Sequence, residues 1–276
     1  MQPLGEIIAF DRKDADFSEP ESLRQIVQDI KPDIIFNAVA YTAVDKAEKE
    51  ETLAMKINGL APGVLAEEAL KLDALLVHYS TDYVFDGTKL TPYVEKDKPN
   101  PLNAYGRTKL AGELAVQASG CDYVIFRTSW VYTSRAHNFL LTMLKLVQER
   151  EELSVVDDQT GAPTSARLIA DATVLCVQPV IKQRHAGNFS SDLYHLTNSG
   201  HTSWFGFTQE IAHLAKNKLD MQLSIKSLLA ISTSEYPTLA SRPVNSQLAL
   251  SKLESVFTIK MPDWKSSLEV CIDDLI

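Results

Sequence analysis

Ala74-Leu75-Leu76-Val77-His78-Tyr79-Ser80-Thr81-Asp82-Tyr83-Val84-Phe85 decides the fold. It begins as an apolar run of strand length and turns polar at Ser80. Runs of this kind mark strands covered on both faces, and their polar ends are where an open α/β sheet presents ligands. Downstream, Tyr105-Gly106-Arg107-Thr108-Lys109 opens a helical stretch. Tyr105 and Lys109 are four residues apart and share one helix face. An ammonium beside a phenol favours the phenolate, so a lowered Tyr105 pKa is expected. The Thr81 hydroxyl, the phenol and the lysine are the parts needed to pass a proton to a carbonyl oxygen or take it back.

Working outward, the pattern repeats. Glu6-Ile7-Ile8-Ala9-Phe10 reads as a short strand ended by Asp11, and Asp33-Ile34-Ile35-Phe36-Asn37-Ala38 and Tyr123-Val124-Ile125-Phe126 read as buried strands. Helices are predicted between them. Ser18-x-x-Glu21 has the capping-box spacing, with Pro20 in the first turn. Leu23, Ile26, Val27 and Ile30 follow at helical intervals until Lys31-Pro32. A helical region from about 50 to 70 is interrupted at Pro62-Gly63, and the Tyr105 helix runs to about Ser119. Further helices are expected near 138–151 and 166–177, with a strand at Leu153–Val156 between them. Beyond about Ile181 the pattern loosens into short pieces. Alternating strands and helices predict a Rossmann-like, doubly wound parallel sheet over 1–180. Residues 181–276 are expected to form mainly a smaller mixed α/β unit, with a discontinuous boundary.

Composition excludes several classes of function. The chain has 276 residues and a net charge of −9, which argues against general nucleic-acid binding. Its apolar runs are strand-sized, so no membrane span is expected. Met1-Gln2-Pro3-Leu4-Gly5-Glu6 has no signal-peptide pattern. Cys121, Cys176 and Cys271 are scattered and odd in number, as in a reducing cytoplasm. The six histidines show no metal spacing, and no metal is expected.

The Tyr–Lys spacing by itself is weak evidence, because one tyrosine in nine has a lysine four residues on and chance supplies one. Position strengthens it. The pair follows a strand ending Ser80-Thr81-Asp82 and comes after earlier strand–helix units, as in the short-chain dehydrogenase/reductases. Longer pieces are more specific: Asn37-Ala38-Val39-Ala40-Tyr41-Thr42-Ala43-Val44-Asp45-Lys46-Ala47-Glu48, His78 to Gly87, Pro101 to Gly106 and Arg127-Thr128-Ser129-Trp130-Val131-Tyr132. With Asp158-Gln159-x-Gly161-Ala162-Pro163-Thr164 and Ser241-Arg242-Pro243-x-Asn245-Ser246, they resemble the RmlD-like branch of the extended short-chain reductases, the dTDP-4-dehydrorhamnose reductases. The resemblance spans about Pro3 to Leu275.

The resemblance implies an NADPH- or NADH-dependent reduction of a 4-keto-6-deoxy dTDP-sugar in the cytoplasm. Tyr105 would donate the proton, Thr81 would hydrogen-bond the same oxygen, and Lys109 would lower the phenol's pKa and hold the nicotinamide ribose. Asp11, Asp16, Phe17, Val39, Ala40 and Thr42 match cofactor-contact positions. Arg12 and Lys13 after Asp11 would suit a 2′-phosphate. Asp82, Trp130 and Arg242 are the substrate candidates: an orienting carboxylate, an aromatic wall and a diphosphate-binding guanidinium. A homodimer is compatible with the family. Two other readings compete: a non-catalytic subunit like the regulatory partner of methionine adenosyltransferase, and a nucleotide-sugar epimerase.

One departure stands out. The family's first strand and its glycine-rich phosphate loop have no counterpart here, because only ten residues precede Asp11. Either roughly 20 residues lie upstream in the natural protein, or the chain is a shortened, inactive relative. The intact catalytic positions favour the first.

Overall fold

The computed structural model of the chain describes residues 2–275. Its main sheet has four parallel strands: β1 (Ile34–Asn37), β2 (Leu75–Thr81), β3 (Tyr123–Thr128) and an outer strand, Asp192–His195. β2 lies between β1 and β3, and β3 between β2 and the outer strand. The alternating pleat sends side chains to two cores. Leu76, Ile125 and Leu193 face Leu23, Val27, Val64 and Leu65 on one side, and Leu75, Val77, Val124 and Phe126 face Ile169, Cys176, Val177 and Leu253 on the other. Both faces are covered by helices, so the sheet is doubly wound as expected.

A third core gathers Tyr132, Leu140 and Leu144 with Phe207, Ile211, Trp264 and Leu268. It is built from the helices Phe139–Glu149, Trp204–Asn217 and Trp264–Asp273. Residues on both sides of position 181 enter it, while the outer strand after 181 belongs to the main sheet. No helix among the described residues is long and apolar enough to cross a membrane.

Three local expectations are corrected. Residues 6–10 form no strand: they run as irregular, exposed backbone, with Ile7, Ile8 and Phe10 about half exposed. A strand needs a neighbour to pair its N–H and C=O groups, and none of the described residues pairs with the outer edge of β1. The Ser18 capping box is also absent. Ser18 donates its hydroxyl and amide to Asp16 instead, and the helix begins at Ser22 after an uncapped Glu21. Finally, Pro62-Gly63 does not break the helical run. A π-helical turn, Lys56–Leu60, joins Glu51–Met55 to Ala61–Leu72, and Pro62 lies just after that turn, at the second position of the last segment.

The Ala104–Ala118 helix crosses this run closely at glycine. A Cβ on Gly112 would lie 2.1 Å from the Asn58 carbonyl oxygen, so only glycine permits the approach. It brings the Asn58 amide into use. Asn58 accepts from the Tyr41 N–H at 2.8 Å and donates to the Thr108 hydroxyl at 3.1 Å, which ties the loop after β1 to the Tyr105 helix.

Candidate active site

The polar ends of β2 and β3 meet the start of the Tyr105 helix. Asn103 caps that helix, its side-chain oxygen accepting from the Gly106 N–H at 2.8 Å. Its amide donates to the Ser241 carbonyl at 2.8 Å, and the Ala104 N–H donates to Glu48 at 2.7 Å. The first turn is therefore pinned from three directions, and Tyr105 with it.

Thr81, Asp82 and Tyr105 come together at the ends of β2 and of the Tyr105 helix. Thr81 is buried; its hydroxyl donates to Asp82 Oδ1 at 3.0 Å and accepts from the Tyr83 N–H at 3.2 Å. The half-buried Tyr105 ring packs edge-on to Tyr83, with centroids 5.5 Å apart. Burial pushes the Tyr105 phenol up to about 12, opposed by the adjacent Thr81 hydroxyl and reinforced by the Asp82 charge. The phenol is thus raised, not lowered as the Tyr–Lys spacing alone predicts. Lys109 sits one turn on, 2% exposed, and its Nζ donates to the Tyr79 carbonyl at 2.6 Å. Desolvation of the phenolate outweighs whatever the ammonium offers from there. Burial likewise pulls Lys109 down to about 8, against the Glu113 carboxylate that supports its charge.

Asp82 is buried, which raises it to about 6 against the opposing influence of the neighbouring Ser246 and Thr81 hydroxyls. Its Oδ2 has no partner, nor do the buried hydroxyls of Ser80 and Thr128.

The candidate substrate residues take different positions. Trp130, just past β3, has a left-handed backbone with φ 48°. Its indole stacks on Trp204 at 3.5 Å, and Gly161 leaves room for it, since a Cβ there would fall 2.5 Å from the ring. Trp204 therefore covers one indole face, and the Gly161 backbone lies against the other. Arg242 is paired with Asp45 at 2.8 Å and keeps a buried Nε without a partner. It lies on a crossing segment, residues 240–249, which includes the motif Ser241-Arg242-Pro243-x-Asn245-Ser246. The segment is stitched across the site: Ala240 N–H to Asp45, Ser246 N–H to the Thr160 carbonyl at 2.7 Å, and Ala249 N–H to the Tyr93 carbonyl at 2.7 Å. Gly87, at φ 74°, passes so close beneath it that a Cβ would sit 2.6 Å from Pro243.

The cofactor candidates divide into two groups. Val39, Ala40 and Thr42 follow the carboxyl end of β1, where Asn37 Oδ1 accepts from the Val39 N–H. Asp11 and Asp16 lie in exposed turns; Asp11 accepts from the Lys13 N–H and Asp16 from Ser18. Phe17 packs against the first core. Among the described residues, no hydrogen bond or ion pair joins these N-terminal three to the Thr81–Tyr105 group.

Comparison with known proteins identifies the family and the fold. The family described as RmlD substrate binding domain matches residues 1–276. A dTDP-4-dehydrorhamnose reductase of Burkholderia thailandensis is 48% identical over 274 residues, 99% of this chain and 92% of that protein. One from Escherichia coli K12 is 43% identical, covering all of this chain and 92% of the relative. The crystal structure of dTDP-4-dehydrorhamnose reductase from Bacillus anthracis in complex with NADP superposes with a TM-score of 0.86 at 36% identity, over 99% of this chain and 92% of that one. By family match and by fold, this chain belongs to the RmlD family of short-chain reductases.

Proposed function

We propose that the chain is an NAD(P)H-dependent reductase that converts the 4-keto group of dTDP-4-dehydrorhamnose to an alcohol. The observation that carries this reading is the Thr81 hydroxyl against the Tyr105 phenol, with the Lys109 ammonium one turn behind. The relatives at 48% and 43% identity bear the same activity in their names.

The residues fit the ribose end of a nicotinamide nucleotide. Lys109 spends one of its three N–H donors on Tyr79, which leaves two for a ribose diol. Val39, Ala40 and Thr42 would flank the same nucleotide. When bound, the reduced nicotinamide supplies a hydride to C4 of the keto sugar. Tyr105 gives its phenolic proton to the carbonyl oxygen; at neutral pH a phenol raised to about 12 is in the protonated form this requires. Thr81 turns its hydroxyl from Asp82 to the same oxygen and stabilises the charge developing there. Asp82, through its unpartnered Oδ2, receives a sugar hydroxyl. Trp130 would meet the sugar with its indole edge, since Trp204 and Gly161 lie against its faces, and Arg242, aligned by Asp45, faces the diphosphate.

The test is turnover of dTDP-4-dehydrorhamnose with NADPH and with NADH, following loss of the reduced nicotinamide absorbance and the product mass. The expected product carries two more hydrogens than the substrate. An isomer of unchanged mass, with no net cofactor oxidation, would mean an epimerase. No turnover, together with a stable complex with methionine adenosyltransferase, would mean a binding subunit.

A further inference from the structure

The Tyr105 helix carries a third buried polar residue on the face of Tyr105 and Lys109. Glu113 is four residues past Lys109 and 1% exposed. Arg127, near the end of β3 and also buried, grips it in a fork: Nε donates to Oε1 at 2.8 Å and NH2 donates to Oε2 at 2.6 Å. The guanidinium lies over the Phe85 ring at 5.0 Å. A free carboxylate one turn from a buried ammonium would draw it into a contact ion pair. Here both carboxylate oxygens are engaged by Arg127, and Lys109 donates to the Tyr79 carbonyl instead. The charged and titratable groups facing Lys109 are His78 on β2, Tyr105 and Glu113 on its own helix, and Arg127 beyond Glu113 on β3. Asp82 acts on Tyr105, and His195 lies beside Arg127. Burial and the Lys109 charge drive His78 well below its usual range, so it stays neutral. Glu113 is therefore the negative charge that supports the ammonium.

We propose that Glu113, clamped by Arg127, is a positioning residue for Lys109: it keeps the buried lysine charged yet free of a contact partner, so that its remaining donors point to the nucleotide ribose. This deepens the reductase reading and rests on it. The carboxylate gives its hydrogen bonds to Arg127 and stands one turn from Lys109 on the same helix.

The test follows the Lys109 side-chain carbon and nitrogen shifts against pH in ligand-free protein labelled with 13C,15N-lysine. The signal is assigned by its loss in Lys109→Met. Glu113→Gln should move the Lys109 midpoint down by about one pH unit or more, the size expected for losing a nearby opposite charge. Glu113→Asp, which keeps the charge, should leave the midpoint near that of the parent. Because Glu113→Gln strands a buried guanidinium, the pair Glu113→Gln/Arg127→Met serves as the variant without either charge. It should shift in the same direction by less. The alkaline limb of kcat/KM should shift with the titration. A folded Gln variant or double variant with an unmoved Lys109 midpoint would overturn the proposal. So would failure of all three variants to fold, which would place the pair in the scaffold alone. Absence of turnover by the parent would count against the reductase reading instead, since the titration needs no substrate.

Discussion

Tyr105→Phe should fold as the parent does and lose about 10²-fold or more in kcat, the usual share of a positioned general acid. The substitution removes one oxygen and leaves the ring, which packs among Ala47, Ala54 and Ala104 and edge-on to Tyr83. The fold therefore loses little, and KM should change far less than kcat, the signature of an interaction made in the transition state. The raised phenol also fixes a direction. Burial disfavours the phenolate, so the protonated form persists to about pH 12. Reduction needs that form and should be flat through neutrality as far as Tyr105 is concerned. The reverse oxidation needs the phenolate and should accelerate as pH rises. Steady-state kinetics in both directions, with a thermal melt of the variant, check this. A Phe variant with near-parental kcat would remove Tyr105 from the chemistry.

Gly106→Ala should be nearly as damaging to activity without touching a reacting group. A Cβ at Gly106 would lie 2.2 Å from the Tyr83 carbonyl oxygen and 3.0 Å from Pro101 Cβ. Neither contact is a flexible side-chain end, so the first turn of the helix must lift from the Tyr83 segment. Tyr105 is the adjacent residue and moves with it, away from Thr81. A displacement on the order of 1 Å costs roughly 10²-fold in rate, and overpacking costs roughly 1–3 kcal/mol in stability. Circular dichroism, a melt and kcat/KM together test it: the helix content should persist while activity falls. Full activity would show that the turn can slide without carrying Tyr105 off Thr81.

These two predictions differ in how far they could be read in the sequence. Tyr105, Lys109 and Thr81 were legible because their relations are local: four residues along one helix, and the polar end of an apolar run. The central strands were legible for the same reason, since Leu75, Leu76 and Val77 are apolar in a row only if both faces are covered. Residues 6–10 misled because an apolar pattern says what a strand would bury and not whether a neighbour exists to pair with it. The Ser18–Glu21 spacing misled because Asp16, two residues upstream, competes for the same hydroxyl. The raised Tyr105 pKa depends on depth of burial, which spacing does not encode. Glu113 with Arg127, Trp130 on Trp204 and Asn58 beneath Tyr41 all join residues distant in sequence, and no local period announces them.

The crossing segment 240–249 has a consequence for how the molecule assembles. Its bond from Ala240 to Asp45 spans 195 positions, and the one from Asn245 to Lys89 spans 156. Contacts of such sequence separation are slow to form, because the entropy of closing the long loop is lost before the contact offsets it. Strands and helices can gather early from nearer neighbours, but this segment, which also holds Asn103 through Ser241, waits for nearly the whole polypeptide to be in place. On refolding from denaturant, catalytic competence should therefore return after the helical signal, with a measurable lag; simultaneous recovery would mean that the crossing segment forms along with the sheet.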